Sequence, residues 1–352
     1  MTDTLTAAPP DAPAPAARRR VGTRAYRVTT LVVALAALLV AGVLSVTFGA
    51  REIAYADLVA ALGGAQDNIS QAAVAQRIPR TVLAMLVGAA LGLAGAVMQG
   101  VTRNPLADPG ILGVTSGASL AVVIGIAFFG LGTATGYIWV AIMGAALAAA
   151  VVYAIGSMGR GGATPLKLAL AGAALSAAFS SLVSAILLPR IQVMDSFRFW
   201  QIGGVGGATP EKILVALPFL LAGTLMSFAV ARGLNSLALG DDLAAGLGER
   251  VALTRALAAV GAVTLCGAAT AVAGPIGFVG LVVPHACRLV VGTDHRWLLP
   301  LSLLVGAVLL TLADVVGRVV ARPAEVDVGI ITALIGAPVF IAIVRRMRAR
   351  AL

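Results

Sequence analysis

Long apolar runs alternate with short polar connections along the chain, and ten such runs can be counted. A helix needs about 20 apolar residues to cross the hydrocarbon core of a bilayer. The pattern therefore predicts an all-α integral membrane protein with about ten transmembrane helices. The runs cover approximately residues 28–48, 79–100, 112–130, 137–158, 165–188, 213–231, 255–274, 276–291, 297–316 and 328–344.

The polar ends of the chain divide it into three parts. Residues 1–27 are rich in Ala, Pro and Arg, and we expect them to form a disordered cytoplasmic tail. Residues 28–346 are predicted to form one ten-helix transmembrane domain, and residues 347–352 a short cytoplasmic tail. The first apolar run is too long for a signal-peptide core and has no small-residue cleavage site, so it should stay in the membrane.

Composition agrees with this pattern, because 60% of the 352 residues are apolar and only 11% are charged. Soluble domains carry about 25% charged residues, so a cytosolic enzyme is excluded. The 41 glycines fit a membrane bundle, in which small residues let helix backbones approach closely. The net charge of +10 does not indicate nucleic-acid binding, since the basic residues are scattered between apolar runs.

The basic residues also predict the orientation of the chain. With the N-terminus in the cytoplasm, 17 of the 25 Lys and Arg residues fall on the cytoplasmic side and the other eight on the outer side. Basic residues near span ends are retained in the cytoplasm. Ten spans then return the C-terminus to the cytoplasm as well.

Residues for catalysis or metal binding are scarce. No G-x-x-x-x-G-K-[ST] loop occurs, so the chain should not hydrolyse ATP by itself. His285 and His295 are the only histidines, and Cys266 and Cys287 lie inside apolar runs. We expect no catalytic residue, no metal and no directly bound cofactor. Asp314 is the single acidic candidate inside a span, which is weak support for the alternative of an ion-gradient-driven secondary transporter.

Two segments rich in Pro and Gly interrupt the apolar pattern, at residues 99–113 and 274–285. Asp108 suits a helix N-cap, and Pro109 suits the first helical position. Irregular backbone in a membrane is tolerated where it lines a cavity, so the breaks indicate a pathway between two halves of the chain. Simple kinks in packed helices remain the alternative, as does core hydrogen bonding for the polar positions. The candidate pathway residues are Gln99, Asn104, Pro105, Gly274 and Pro275.

Three connections are too long or too patterned to be simple turns. Outer residues 49–76 predict a short amphipathic surface helix, and outer residues 189–211 end in a flexible glycine stretch. Cytoplasmic residues 233–254 predict two short helices separated by Gly, with Asp241 or Asp242 capping the second. An interfacial helix on lipid is the alternative, but two acidic residues fit an anionic leaflet poorly. We interpret this connection as a docking element for a soluble partner.

Several ordered motifs together resemble a known family. They are Arg77-Ile78-Pro79-Arg80, Asn104-Pro105-Leu106-Ala107-Asp108-Pro109, Leu239-Gly240-Asp241, Gly274-Pro275-Ile276-Gly277-Phe278-Val279-Gly280-Leu281 with Pro284-His285, Gly292-Thr293-Asp294-His295-Arg296, and Gly336-Ala337-Pro338. In this order they resemble the permease subunits of bacterial ABC importers for iron-siderophores, haem and vitamin B12. The resemblance extends from about residue 28 to residue 346.

The resemblance implies a fold like that of the vitamin B12 importer permease, in the cytoplasmic membrane of a bacterium. It implies a dimer with a second copy or a related permease, a cytoplasmic ATPase dimer that uses ATP, and an extracytoplasmic binding protein, either periplasmic or a lipoprotein. Coupling helices at about residues 233–250 would contact the ATPase through Leu239, Gly240, Asp241, Asp242, Ala245, Leu247 and Gly248. Arg77, Arg80 and Arg318 would pair with glutamates of the binding protein, although snorkelling to lipid phosphate is an alternative for Arg77 and Arg80.

The chain departs from the family pattern at two outer positions. Asp327 stands where the family usually has Pro, and Gly204 stands where it commonly has Ser. The resemblance favours an iron-siderophore as the cargo, with haem and vitamin B12 as alternatives. Alternating access driven by partner ATPases is the implied mechanism.

Overall fold

The computed structural model describes residues 23–158 and 164–348. The described residues form fourteen α-helices and one short 3-10 helix at Pro109–Leu112. Residues 1–22 of the predicted disordered tail and residues 349–352 of the predicted C-terminal tail lie outside the described residues. The helices are α1 Arg24–Thr47, α2 Tyr55–Leu62, α3 Ile69–Thr102, α4 Val114–Phe129, α5 Ala134–Ser157, α6 Pro165–Leu187, α7 Ile191–Gln201, α8 Pro210–Ala229, α9 Ala231–Leu237, α10 Asp241–Gly246, α11 Val251–Ala273, α12 Val279–Val291, α13 His295–Val320 and α14 Val328–Arg348.

Ten of these helices coincide with the ten predicted apolar runs, which confirms the fold class. Seven of them, α1, α3, α5, α6, α8, α11 and α13, are long and apolar enough to cross a membrane. The other three, α4, α12 and α14, are shorter apolar helices. The 13 residues of α12 extend only about 20 Å at 1.5 Å per residue, so the break before α12 supplies part of the membrane depth.

Three helix boundaries differ from the sequence prediction. Helix α1 begins at Arg24, capped by Thr23, so the last residues assigned to the N-terminal tail are helical. Helix α3 begins at Ile69, where the Asn68 side chain accepts a hydrogen bond from the Gln71 N–H at 2.9 Å. The predicted connection 49–76 therefore contains α2, as expected, but it ends early. Helix α14 continues to Arg348, beyond the predicted domain end.

Helix α3 lies at the centre of the bundle, where it packs against α1, α11, α12 and α13. Within its most apolar stretch, 78% of the residues are buried. Glycines make the contacts close: a Cβ on Gly88 would collide with the backbone of Gly306, and one on Gly95 with the backbone of Gly280. Close approach of backbones stabilises helix pairs in lipid, where no hydrophobic effect drives them together.

Helices α1 and α6 contrast with this centre, because only 17% of their apolar stretches is buried within the chain. Their exposed surfaces are apolar, with Leu39 65% and Leu170 62% exposed. Such surfaces face lipid or another membrane subunit. The chain is therefore a multi-pass membrane protein.

Both predicted breaks are present, and each separates two apolar helices. Helix α3 ends at Arg103 in the left-handed conformation, with φ 50°. Asp108 then caps the 3-10 helix by accepting a hydrogen bond from the Gly110 N–H at 2.8 Å, and Pro109 takes the first helical position. The predicted cap is confirmed. In the second break, Phe278 has φ 68° and immediately precedes α12.

Candidate functional site

Five charged residues meet at the outer end of α3 and α13, and we call them the outer cluster: Arg77, Arg80, Asp314, Arg318 and Glu325. Asp314 lies at its centre with only 1% of its side chain exposed. Arg80 donates to Asp314 through Nε at 3.1 Å and Nη2 at 2.9 Å. Arg318 contacts the other Asp314 oxygen at 3.0 Å. One carboxylate thus pairs with two guanidinium groups in a low-dielectric setting, and its single negative charge balances one of their two positive charges.

The arginines of the outer cluster make further hydrogen bonds within the chain. Arg80 Nη1 bonds Glu325 Oε2 at 2.6 Å. Arg318 bonds Ser45 Oγ at 2.7 Å, which ties α13 to α1. Arg77 donates to the backbone carbonyls of residues 46, 47 and 51 at 3.1, 2.7 and 2.8 Å.

All three arginines lie at the outer end, as expected, but they are largely buried in the isolated chain. Arg77 is 6% exposed and Arg318 is 1% exposed, and Arg80 exposes 11% of its side chain. Sequence reasoning missed the burial because Asp314 lies 234 residues from Arg80 in the chain. Pairing of these arginines with a binding protein stays a prediction, and it requires an exchange of their partners.

At the cytoplasmic end, residues 239–248 form a protruding element that we call the coupling segment. It contains α10, the flanking residues Leu239 and Leu247, and two glycines with positive φ, Gly240 at 116° and Gly248 at 84°. The predicted pair of short helices separated by Gly is therefore present as α9 and α10. The predicted aspartate cap is wrong: Gly240 is the N-cap, and Asp241 and Asp242 occupy the first turn.

Three leucines of the coupling segment are exposed in the isolated chain. Leu239, Leu243 and Leu247 are 59%, 63% and 68% exposed. Ala245 and Asp242 lie on the same short helix and are also exposed. An exposed cluster of large apolar side chains with polar neighbours is typical of a protein interaction surface. We call these three side chains the leucine patch.

Helix α9 is fastened to α13 beside the coupling segment. Asn235 donates to Asp294 Oδ1 at 2.7 Å and accepts from the His295 N–H at 2.9 Å. The pKa of Asp294 lies below its ordinary value. Burial acts to raise this pKa, but hydrogen bonds from Asn235 and the Arg296 N–H outweigh it, together with the positive charges of Arg296 and Arg27. No sequence motif pointed to Asn235 as this link.

The five candidate pathway residues do not form one site. Gln99 is 3% exposed and bonds the backbone carbonyls of Gly280 and Leu281 at 3.3 Å, so it fastens α3 to α12. Asn104 lies next to Pro105 at the cytoplasmic end, where it is exposed, and its side chain accepts a hydrogen bond from the Leu106 N–H. Gly274 and Pro275 lie at the outer end against Trp200 and Gly203. A pathway role for these residues stays a prediction.

A cavity of about 450 Å³ opens at the outer ends of α4, α5, α8 and α11. Apolar residues form most of its wall, and Trp200, Lys212 and Asp327 add polar groups. The indole N–H of Trp200 is buried and has no hydrogen-bond partner among the described residues. Burial raises the pKa of Asp327 above its ordinary value. Sequence analysis singled out Asp327 and Gly204 but not the cavity that both of them line.

Gly204 and Asp327 are in direct contact, so the two departures from the family pattern are one structural feature. A Cβ on Gly204 would lie 2.5 Å from Asp327 Oδ1. Residue 204 has no room for a side chain while Asp327 keeps this position. Each departure therefore depends on the other.

Comparison with known proteins gives a consistent family. The model of the FecCD transport family matches residues 35–346. The chain is 45% identical over 326 residues to the ferric enterobactin transport system permease protein FepD of Escherichia coli (strain K12), covering 92% of this chain and 96% of the relative. It is 42% identical over 323 residues to the iron(3+)-hydroxamate import system permease protein FhuB of Bacillus subtilis (strain 168), covering 91% and 84% respectively.

A solved structure extends the similarity to three dimensions. A metal-chelate type ABC transporter in an inward-facing conformation superposes with a TM-score of 0.79 at 32% identity, covering 91% of this chain and 99% of that chain. Since the family model spans most of the transmembrane domain and the relatives exceed 40% identity over nearly the whole chain, this protein is a member of the FecCD family of transport permeases.

Proposed function

We propose that the chain is the membrane-spanning subunit of an ATP-driven importer that carries a ferric siderophore into the cell. A dimer of cytoplasmic ATPase subunits hydrolyses the ATP, and an extracytoplasmic binding protein delivers the cargo. A second permease, either a copy of this chain or a related one, completes the pathway. The chain itself catalyses no reaction and binds no cofactor. It alternates between outward-open and inward-open states as the ATPases bind and hydrolyse ATP.

The observation that carries this proposal is the leucine patch on the coupling segment. Short helices at the cytoplasmic end that expose three large apolar side chains need a protein surface to cover them. Similarity to a metal-chelate type ABC transporter supports the ATPase subunit as that surface.

The names of the relatives support a class of cargo. FepD belongs to a ferric enterobactin system and FhuB to an iron(3+)-hydroxamate system. These two ligands share a bulky ferric chelate but differ in the groups that bind the iron. A ferric siderophore is therefore the proposed cargo class, and the binding protein selects among its members.

The outer cluster argues against the alternative of ion-gradient coupling. A carboxylate that carries a proton or sodium ion must be able to exchange its partner, and Asp314 is held by two guanidinium groups with 1% of its side chain exposed. Ion-coupled transport would need another membrane-embedded acidic group.

Co-expression with the cognate ATPase tests the proposal. We expect the ATPase to co-purify with the wild-type chain and to be lost when Leu243→Arg and Leu247→Arg are combined, because two charges then replace the apolar contact. Arg232→Ala, on the exposed face of the neighbouring α9, is the control and should retain the ATPase. Equal recovery with the double variant, or transport by the chain in the absence of any ATPase, would contradict the proposal.

A further inference from the structure

Asp241 connects the coupling segment to the transmembrane helices. Its Oδ1 accepts one hydrogen bond from Arg255 Nη2, at 3.0 Å, and another from Arg103 Nη2. Arg255 lies in the first turns of α11, and Arg103 ends α3. One oxygen thus joins three elements, since Asp241 itself begins α10. A shift of α10 changes both contacts together.

Arg103 has an unusual backbone for an arginine. It ends α3 in the left-handed conformation with φ 50°, where glycine is the usual residue. A side chain at this position is unfavourable for the backbone. From this position the Arg103 guanidinium forms an ion pair with Asp241. The residue is therefore placed where its guanidinium reaches the coupling segment, and the first break begins at the next residue.

The last turns of α3 are also joined to α12, by hydrogen bonds of Gln99. Gln99 donates to the carbonyls of Gly280 and Leu281 in the first turn of α12 at 3.3 Å. Gln99 Oε1 accepts from Arg288 Nη2 at 2.8 Å, two turns further along α12. Gly95 leaves no space between the two backbones. A movement of Arg103 is therefore passed to the start of α12, directly after the second break.

The ion pairs of Asp241 have little value for folding. The side chains of Asp241, Arg103 and Arg255 are 43%, 37% and 29% exposed. Exposed ion pairs contribute little to stability. Their geometry nevertheless defines where α10 sits relative to α3 and α11, which is a positional effect.

We propose that Asp241 is the positioning residue through which the coupling segment moves both transmembrane breaks, by holding Arg103 at the end of α3. This inference rests on the proposed function, because the movement comes from the ATPase. When the contact between Asp241 and Arg103 is removed, the ATPase still binds the leucine patch and hydrolyses ATP. The cytoplasmic end of α3, however, no longer moves with α10. A partner can shift a conformational equilibrium only through contacts that differ between the two states.

The test uses the complex of full-length permease and ATPase, with binding protein and ferric siderophore, in proteoliposomes. A cysteine introduced by Thr102→Cys, in the last turn of α3, reports on the cytoplasmic end of this helix. The rate at which a water-soluble maleimide labels it is measured with and without a non-hydrolysable ATP analogue. Asp241→Asn, Arg103→Gln and their combination are compared in this background. Glu249→Gln is the matched control, because it removes one charge from the same cytoplasmic connection and keeps an oxygen that can accept the hydrogen bond from Thr254. ATP hydrolysed per siderophore imported is measured on the same samples.

We expect the nucleotide-dependent change in labelling to disappear in Asp241→Asn, and the ATP consumed per siderophore to rise about fivefold or more, the range of ordinary coupling energies. Arg103→Gln should give the same result, and the double variant should be no worse than either single one, since both act through one contact. The melting midpoint and ATPase recovery should remain those of Glu249→Gln.

Labelling and ATP consumption in Asp241→Asn that match those of Glu249→Gln would overturn the inference and leave the proposed function intact. Additive defects in the double variant would also overturn it, because the two residues would then act separately. Failure of the ATPase to co-purify with the wild-type chain would contradict the proposed function itself, and the inference with it.

Discussion

The two ends of α3 use charge in opposite ways. At the outer end, Arg80 and Asp314 are 11% and 1% exposed and are held in the interior with Arg318. At the cytoplasmic end, Arg103 and Asp241 are 37% and 43% exposed. Buried ion pairs are costly to break, whereas exposed ones contribute little to folding. Loss of one partner in the outer cluster is therefore costly to the fold, whereas the cytoplasmic contact is free to serve in coupling.

The largest expected effect comes from Asp314→Ala. Removing this carboxylate leaves two buried guanidinium groups without their shared partner, so we expect a loss of about 3–5 kcal/mol in the free energy of unfolding. Thermal denaturation in detergent measures it. Glu52→Gln is the control, because Glu52 pairs with Arg322 at 3.2 Å but is 89% exposed, and it should cost at most about 1 kcal/mol. Equal melting midpoints for the two variants would contradict the difference between buried and exposed pairs.

A second comparison concerns two glycines near the cytoplasmic end. Gly95→Ala places a Cβ against the backbone of Gly280, and overpacking of this kind costs about 1–3 kcal/mol. Gly246→Ala, in the coupling segment, meets nothing within 4 Å and should leave stability unchanged or slightly raised. Chemical denaturation of the two variants checks this order. A destabilised Gly246→Ala beside an unaffected Gly95→Ala would show that the close contact of α3 and α12 is misplaced.

A smaller effect is expected at the outer cavity. Gly204→Ala brings a Cβ to 2.5 Å from Asp327 Oδ1, and we expect a destabilisation of about 1 kcal/mol. Asp327→Ala should remove most of that cost, because the obstructing oxygen is then absent. A double-mutant cycle of melting midpoints measures the coupling between the two positions. Additive effects would mean that Gly204 and Asp327 are independent.

The smallest effect concerns the charge of Asp327. Its folded-state pKa is raised by burial, so the folded protein binds a proton more readily than the unfolded chain. The unfavourable contribution of this group is absent below the unfolded pKa of about 3.9 and grows as pH rises through the folded pKa. Asp327→Asn should therefore raise the melting midpoint slightly at neutral pH, with the gain disappearing in acid. A gain that is larger in acid than at neutral pH would contradict this sign.

The helices and the candidate site differ in how far the sequence predicted them. Apolar runs predicted all ten membrane helices because membrane depth fixes their length. The Asp108 cap was also visible, since the N-cap and Pro109 are neighbours in sequence. The extension of α3 to Ile69 was missed because Arg77 and Arg80 resemble residues of an aqueous loop. Their partner Asp314 comes from α13, and no local pattern reports such a pairing.

The coupling segment shows the same limit on a smaller scale. Its two short helices followed from the glycine spacing, but Asp241 or Asp242 was expected to cap α10, and Asp241 instead bonds Arg103 and Arg255. A cap is a local interaction, whereas the observed partners lie 138 and 14 residues away in the chain. The role of Gln99 as a link to α12 likewise depends on residues 181 and 182 positions away.

ATP-dependent uptake in proteoliposomes tests the central claim most directly. Vesicles that contain the permease with its ATPase, supplied with binding protein and a radiolabelled ferric siderophore, should accumulate iron only when ATP is present on the cytoplasmic side. Combining Leu243→Arg with Leu247→Arg should abolish uptake while leaving the melting midpoint of the permease unchanged. Uptake that persists in this variant, or that follows a proton or sodium gradient without ATP, would contradict the account.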